Sequence, residues 1–154
     1  LMRLTVAVVG KPRNAALADA IHEYETRAAR YWPLDVHEVK AERATSGDSR
    51  LVPKREGERL VERVGSANII ACDLKGKSFS SERFADWLRT ERDRDRDLSF
   101  VIGGAFGLSD DLLSTATVRL SLAPWTLAHE LARLVLAEQL YRAGTIIRGE
   151  PYHK

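Results

Sequence analysis

The segment FVIGGAFGLSDD, from Phe100 to Asp111, is the part of the sequence that is most informative about the fold. It begins inside an apolar run, LSFVI, which predicts a buried strand over Leu98 to Ile102. The glycines between Gly103 and Gly107 predict a tight turn that a flat ligand can approach closely, because no Cβ intervenes. Ser109 and the two aspartates after it predict the start of a short helix. Strand, glycine turn and helix in this order are typical of proteins with a parallel sheet.

The same alternation of strands and helices extends to both ends of the chain. The predicted strands are Leu4 to Gly10, Leu34 to Val39, Asn68 to Cys72, Leu98 to Ile102 and Val118 to Leu122. The predicted helices run from Asn14 to about Arg30, from Pro53 to Val64, from Ser80 through Leu88, onward from Ser109, and from about Thr126 to Ala143 with Gly144 as the stop. Residues 40–50, which include Ser46-Gly47-Asp48, predict a mobile loop. This pattern predicts one α/β domain over residues 1–154, with a mostly parallel sheet and helices on both faces.

The composition is that of an ordinary globular protein. The chain has 154 residues, of which 44% are hydrophobic and 30% charged, and its formal net charge is +2. No apolar run approaches the ~20 residues that a membrane-spanning helix needs. Cys72 is the only cysteine, which excludes an internal disulfide and favours a reducing cytoplasm. The small net charge neither indicates nor excludes a nucleic-acid partner.

The sequence gives little support to metal binding or to covalent catalysis. The histidines, His22, His37, His129 and His153, are widely separated, and Cys72 has no cysteine partner. The chain has no Gly-x-Ser-x-Gly motif. Cys72 ends an apolar strand, a position more typical of a core residue than of a nucleophile. We therefore expect no metal.

Three predicted strand ends are candidates for a ligand site. In open parallel sheets, ligands bind beyond the carboxyl ends of the strands. The candidates are Cys72-Asp73, Gly103-Gly104 and the segment from Leu122 to Trp125. Neither GxGxxG nor GK[ST] occurs at the glycine turn, so a phosphate cradle is not indicated. A cofactor held through an adenine ring and backbone contacts fits better than NAD or ATP, although a tight structural turn alone also explains the glycines.

The last predicted helix carries leucines on more than one face, including Leu131, Leu134 and Leu140. Such a helix packs against something on both sides, and the second side of a homodimer would supply the additional contact. Glu138 and Arg142 are four residues apart on this helix. They predict either a simple surface ion pair or an arginine that contacts RNA.

Several segments together resemble a known bacterial family. The most specific are FVIGGAFGLSDD, LSLAPWTLAHELARLVLAEQLYRA and the tail RGEPYHK, and the resemblance runs from Met2 to Lys154. The chain resembles the ribosomal large-subunit methyltransferases that methylate N3 of a pseudouridine in 23S rRNA. These belong to the SPOUT superfamily of knotted methyltransferases.

The resemblance implies an S-adenosylmethionine cofactor, a homodimer, and 23S rRNA within the ribosome as the partner. It also implies a SPOUT-type fold with a deep trefoil knot, the knot and cofactor site covering about residues 68–154. The implied cofactor contacts are Cys72, Gly103, Leu122, Ala123, Pro124, Trp125, Thr126 and Leu127, with Gly104 beside them. Cys72 stands where relatives often have leucine, and Ala128 stands where many have proline.

The resemblance further implies that the tail of one subunit completes the active site of its partner. Tyr152 would pack on the flipped base or the cofactor, and His153 would orient the base or accept its N3 proton. Arg142 or Arg148 would stabilise the charge that develops on the base. His129 is the competing candidate for the base. Each assignment has a purely structural alternative. Tyr152 and His153 could belong to a frayed tail, and His129 could be a helix histidine that forms a hydrogen bond with a local partner.

Contacts with RNA phosphates are expected from loops near the proposed site, at Lys11, Arg13, Lys75 and Lys77. Each of these is also explained as an ordinary solvated side chain. Two other functions remain open at this point: a non-catalytic ribosome-binding module with the same fold, and a SPOUT enzyme that acts on another RNA. The non-catalytic module predicts no cofactor binding, whereas the enzyme requires it, so a binding measurement distinguishes these two functions.

Overall fold

The computed structural model describes residues 1–44, 48–65 and 68–154. Ser46 and Gly47 of the predicted loop lie outside the described residues. The strands are β1 (Leu4–Val9), β2 (Leu34–Val39), β3 (Asn68–Ser78), β4 (Leu98–Ile102) and β5 (Val118–Ser121). The helices are α1 (Ala15–Ala28), α2 (Leu51–Val64), α3 (Ser81–Asp93), α4 (Asp110–Thr115) and α5 (His129–Arg148). The predicted alternation of strands and helices is confirmed, with differences at the ends of β3 and α5.

The strands form one parallel sheet in the order β2-β1-β4-β3-β5. Alternate residues of the inner strand β1 face opposite sides of the sheet. Leu4, Val6 and Val8 join a core with α1, α3 and α5, whereas Ala7 and Val9 join a second core beneath α2 and α4. The prediction of a parallel sheet with helices on both faces is therefore confirmed. No helix in the described ranges is long and apolar enough to cross a membrane.

The predicted helix caps are present because each depends on a short-range hydrogen bond. Asn14, Ser80 and Ser109 have extended backbones, and their side-chain oxygens accept from the backbone N–H three residues later. This contact satisfies a helix N–H that would otherwise have no partner. Such a cap can be predicted from sequence because both of its partners lie within one turn.

Strand β3 continues beyond Cys72, where the sequence predicted its end. Cys72 and Lys77 both pair with Leu120 of β5, so the residues between them leave the regular ladder. A Cβ at Gly76 would lie 2.6 Å from the backbone of Arg119, which only glycine permits at this close crossing. The irregular part of β3 therefore begins at Cys72, where the sequence predicted the carboxyl end of the strand.

Helix α5 begins and ends later than predicted. Residues 126–128 precede the helix, and its left-handed C-cap is Gly149, with φ 68°. Gly144, the predicted stop, lies buried within the helix. A Cβ there would lie 2.4 Å from Cγ of Tyr31. Gly144 is therefore required for close packing between α5 and the residues after α1, and the prediction that it ends the helix was wrong.

Two long-range contacts hold α5 on this face of the sheet. The Trp32 indole donates from Nε1 to the carbonyl of Leu140 at 2.9 Å. Arg133, whose side chain is only 9% exposed, forms ion pairs with Glu25 of α1 at 2.8 Å and Glu38 of β2 at 2.6 Å. Because Arg133 lies one turn beyond His129, these pairs position the beginning of α5.

We expect Gly144→Ala to destabilise the protein by about 1–3 kcal/mol, because the new methyl group overlaps the Tyr31 ring in a packed interior. Helix propensity alone would predict the opposite, a gain of up to about 1 kcal/mol. Gly57→Ala in α2 is the matched control, since its Cβ would meet one side-chain oxygen, that of Ser109, at 3.0 Å, a contact that a shift of a few tenths of an ångström relieves. The free energy of unfolding in urea, measured for both variants, shows whether packing or helix propensity determines the effect of the substitution. A Gly144→Ala variant as stable as Gly57→Ala would contradict the packing argument.

Candidate functional site

A cavity of about 220 Å³ lies at the carboxyl edge of the sheet. It is bounded by the residues after Ala71 in β3, by the turn after β4, and by the loop between β5 and α5. Of the predicted cofactor residues, those that line it are Cys72, Gly103, Gly104, Leu122, Ala123, Trp125, Thr126 and Leu127. Pro124 is not among the lining residues. The three strand ends selected from the sequence therefore meet in one cavity.

Sequence reasoning missed several lining residues, which include Leu74, Ile102, Leu108 and Ala132. Asp73 and Leu74 lie there because β3 leaves its regular ladder just beyond Cys72. Ala132 lies one turn into α5, and only the packing of α5 brings it to the sheet edge. The Trp125 side chain is 78% exposed at this cavity.

The glycine turn is shaped by contacts within itself. A Cβ at Gly103 would lie 2.5 Å from the carbonyl carbon of Gly107, and Gly107 has a left-handed φ of 78°. The Gly107 N–H donates to the carbonyl of Gly104 at 3.0 Å, which closes the turn. Gly103 is thus needed for the fold of the turn. Of the two explanations that the sequence left open for these glycines, this contact supports the tight structural turn, and close approach of a ligand stays a prediction.

Cys72 contributes to the cavity as a neutral thiol. Burial raises the pKa of its thiol to about 12. A nucleophilic cysteine requires the thiolate, which burial in apolar surroundings disfavours. The structure therefore supports an apolar contact for Cys72 and argues against covalent catalysis.

His129, the first residue of α5, lines the cavity and also a smaller adjacent space with Lys11 and Glu130. Glu130 accepts a hydrogen bond from the Arg13 backbone at 3.1 Å. The loop after β1 therefore lies against the start of α5. Of the predicted catalytic residues, His129 is the one that this chain places at the cavity.

Arg142, Tyr152 and His153 lie together elsewhere, where the C-terminal tail folds back on its own chain. Tyr152 packs edge-on against Tyr141, with ring centroids 4.6 Å apart. The Arg142 guanidinium lies 4.7 Å from the Tyr152 centroid. Tyr152 and His153 are both half-buried, so the tail is not frayed.

Glu138, which the sequence suggested only as an ion-pair partner, is the centre of this tail cluster. Its carboxylate accepts from Arg142 at 2.8 Å, from the Tyr152 hydroxyl at 3.0 Å and from the Gln139 amide at 2.9 Å. Burial, followed by hydrogen bonds with Tyr24 and Glu138, raises the pKa of Tyr152. Tyr152 is therefore a protonated donor in this cluster and not a base.

The hydrogen bonds of His153 determine its tautomer. Arg142 Nη1 lies 3.0 Å from Nδ1 of His153, and Glu82 Oε1 lies 2.7 Å from Nε2. Because a guanidinium can only donate, Nδ1 accepts and Nε2–H donates to Glu82. This contact is the main cause that lowers the pKa of Glu82. In this arrangement both ring nitrogens of His153 are engaged.

The two groups of predicted catalytic residues are separated along α5. Between residues 129 and 142 a helix rises about 20 Å, at about 1.5 Å per residue. His129 faces the cavity, whereas Arg142 lies with the tail. One chain by itself therefore does not bring Arg142, Tyr152 and His153 to its own cavity.

The basic residues suggested for RNA contact, Lys11, Arg13, Lys75 and Lys77, are all exposed. Lys77 lies 5.0 Å from the centroid of the Phe79 ring. Within the described ranges, no group of three or more histidine, cysteine or acidic side chains is arranged to hold a metal ion.

Comparisons with known proteins agree with this fold. A family described as "Predicted SPOUT methyltransferase" matches residues 2–153. A relative from Gemmatimonas aurantiaca, named ribosomal RNA large subunit methyltransferase H, is 57% identical over 99% of this chain and 100% of its own length.

Two solved structures share the fold at low sequence identity. A probable methylase family protein from Haemophilus influenzae is 11% identical, with a TM-score of 0.58 over 99% of this chain and 71% of that one. A putative methyltransferase from Legionella pneumophila, in complex with the bound cofactor SAM, is 13% identical, with a TM-score of 0.50 over 92% of this chain and 66% of that one. From the family match and the full-length identity, the chain belongs to the SPOUT methyltransferases and, within them, to the ribosomal RNA large subunit methyltransferase H family.

Proposed function

We propose that the protein binds S-adenosylmethionine in the strand-end cavity and transfers its methyl group to N3 of a pseudouridine in 23S rRNA. The cavity is the observation that carries this proposal, because it gathers the three strand ends and every predicted cofactor residue except Pro124. Membership of the family supports the same reaction. The proposal includes a trefoil knot within about residues 68–154 and a cytoplasmic location, where ribosomes are found.

The residues of the cavity suit this cofactor. Ile102, Leu122 and Leu127 provide apolar surface for an adenine ring, and the glycine turn exposes backbone groups. The turn has no phosphate-binding motif, which agrees with a cofactor that carries no phosphate. When bound, S-adenosylmethionine supplies a methyl group on a sulfonium, which is already an activated electrophile.

The work left to the protein is alignment and proton removal. The base must be held so that N3 faces the methyl carbon in line with the breaking carbon–sulfur bond. The electron pair of that bond would stay with sulfur, and a general base of the protein would accept the N3 proton. The loss of this proton leaves negative charge on the flanking carbonyl oxygens, which a nearby guanidinium stabilises.

A homodimer would bring the tail cluster to the cavity. Within one chain, Arg142 lies about 20 Å along α5 from His129, at about 1.5 Å per residue. A two-fold axis near α5 would place the tail cluster of one subunit at the cavity of its partner. In this arrangement Arg142 stabilises the charge on the base, and Tyr152 donates to it or packs on it. His153 or His129 accepts the N3 proton.

We expect isothermal titration to detect binding of S-adenosylmethionine and to detect no binding of NADH. Gly103→Ala should abolish cofactor binding or weaken it more than tenfold, because its methyl group would push apart the turn that lines the cavity. Gly149→Ala is the control: it strains a left-handed helix cap with open space around it, away from the cavity. Binding of NADH, or unaltered binding by Gly103→Ala, would contradict the proposed cofactor site.

We expect His153→Ala to lower kcat by about 10²- to 10⁴-fold, the usual contribution of a general base, and to leave cofactor affinity unchanged. His129→Ala, measured in parallel, distinguishes the two candidate bases, because removal of the true base should lower kcat and removal of the other should not. Lys154→Ala is the control, because Lys154 is an exposed neighbour of His153. The readout is mass spectrometry of large-subunit rRNA after single-turnover methylation. A His153→Ala enzyme with full activity would remove this residue from the mechanism.

Mixed dimers test whether the tail acts across subunits. We first expect light scattering to give about twice the chain mass of 17.2 kDa. One subunit then carries Gly103→Ala and an intact tail, and the other lacks residues 151–154 but has an intact cavity. If tails act in trans, the intact tail reaches the intact cavity, and one active site per dimer is restored. If tails act in cis, both sites are defective, and a folded but inactive mixed dimer would refute the trans arrangement.

A further inference from the structure

Glu56 is a buried carboxylate directly behind the glycine turn. It lies on α2, its residue is only 3% exposed, and its Oε1 has no hydrogen-bond partner within the described part of the chain. A Cβ built on Gly104 would lie 3.1 Å from Oε1 and 3.3 Å from Oε2. The carboxylate therefore occupies the space where a side chain at position 104 would be. Gly104 itself lines the cavity.

The charge of Glu56 is poorly compensated by its surroundings. Its Oε2 accepts one hydrogen bond, from the Glu42 backbone at 3.1 Å. The nearby cation, Arg59, instead pairs with the Glu42 carboxylate at 2.8 Å and donates to the Lys40 carbonyl at 2.8 Å. The negative field of Glu56 is thus not cancelled by an ion pair of its own. Gly104, which lines the cavity, has no side chain of its own to separate the cavity from this carboxylate.

A buried charge of this kind costs folding stability. Burial raises the pKa of Glu56, and the charge of Glu42 acts in the same direction, whereas the hydrogen bond from the Glu42 backbone and the charges of Arg59 and His129 oppose it. A carboxyl whose pKa is higher in the folded than in the unfolded chain lowers stability as the pH rises from the unfolded to the folded value. Its ionised form therefore does not contribute to folding, which points to a role toward a ligand.

We propose that Glu56 supplies the buried negative charge by which the cavity favours the cationic S-adenosylmethionine over its neutral-sulfur product, S-adenosylhomocysteine. This inference rests on the proposed function, because it requires the cofactor to occupy the cavity. The two ligands share the adenine, ribose, ammonium and carboxylate groups and differ in charge only at sulfur. An uncompensated charge behind the cavity wall distinguishes them electrostatically, and the loss of the sulfonium charge after methyl transfer weakens the hold on the product.

The test is a comparison of Kd values for S-adenosylmethionine and S-adenosylhomocysteine by isothermal titration. For Glu56→Gln we expect affinity for S-adenosylmethionine to fall about ten- to thirtyfold, because one opposite charge is removed from a protein interior whose effective dielectric constant is about 20. Affinity for S-adenosylhomocysteine should change less than about threefold. Glu58→Gln is the matched control, since it removes the same charge from an exposed position on the same helix. Thermal unfolding should show that Glu56→Gln is no less stable than the parent.

Each outcome bears on the inference. An equal loss of affinity for both ligands would assign Glu56 a purely structural role, and an unchanged preference would remove it from ligand recognition; either result overturns the inference. The same loss in Glu58→Gln would show a general effect of net charge and would also overturn it. If Glu56→Gln does not fold, Glu56→Met provides a neutral side chain of similar length for the same two titrations. A parent protein that binds neither ligand would refute the proposed function itself, which is a distinguishable result.

Discussion

The buried guanidinium of Arg133, held between Glu25 and Glu38, determines where helix α5 lies, and both halves of the proposed site depend on that helix. The pairs join α5 to α1 and to the edge strand β2 in a region with little solvent. The loss of one partner of such a pair typically costs about 3–5 kcal/mol, because the remaining charge stays buried. The same helix carries His129 and Ala132 to the cavity at its beginning and Arg142 to the tail at its end. A rotation of α5 would therefore disturb the cavity and the tail cluster together.

Much of the fold can be predicted from the sequence because its signals are local. The capping hydrogen bonds of Asn14, Ser80 and Ser109 each span three residues, and the apolar strands are marked by their composition. The ends of α5 could not be predicted in this way. A glycine at position 144 is typical of a helix C-terminus. Here, however, a side chain is excluded by the ring of Tyr31, which is remote in sequence. A rule based on neighbouring residues has no information about that contact.

The same distinction applies to the site. The parallel order of the strands brings Cys72, Gly103 and Leu122 to one edge, so a cavity there follows from the predicted fold class. Glu56 could not be found from sequence, since it looks like one of several charged residues on an amphipathic helix. Only the packing of α2 against the sheet reveals that its carboxylate lies behind Gly104. The resemblance assigned roles to Tyr152 and His153, but it did not indicate that Glu138 and Glu82 hold them within one chain.

The hydrogen bonds of the tail place a constraint on any proton transfer by His153. Nδ1 accepts from Arg142, and Nε2–H donates to Glu82, so neither nitrogen is free to receive the N3 proton in this arrangement. His153 can act as a base only after one of these contacts is exchanged for the substrate. The contact with Arg142 is the more informative one. An arginine that leaves Nδ1 to bind the carbonyl oxygens of the base would free the acceptor nitrogen and stabilise the developing charge in one movement. Glu138 accepts hydrogen bonds from the other two nitrogens of the guanidinium, and it would hold Arg142 in place while Nη1 changes its partner.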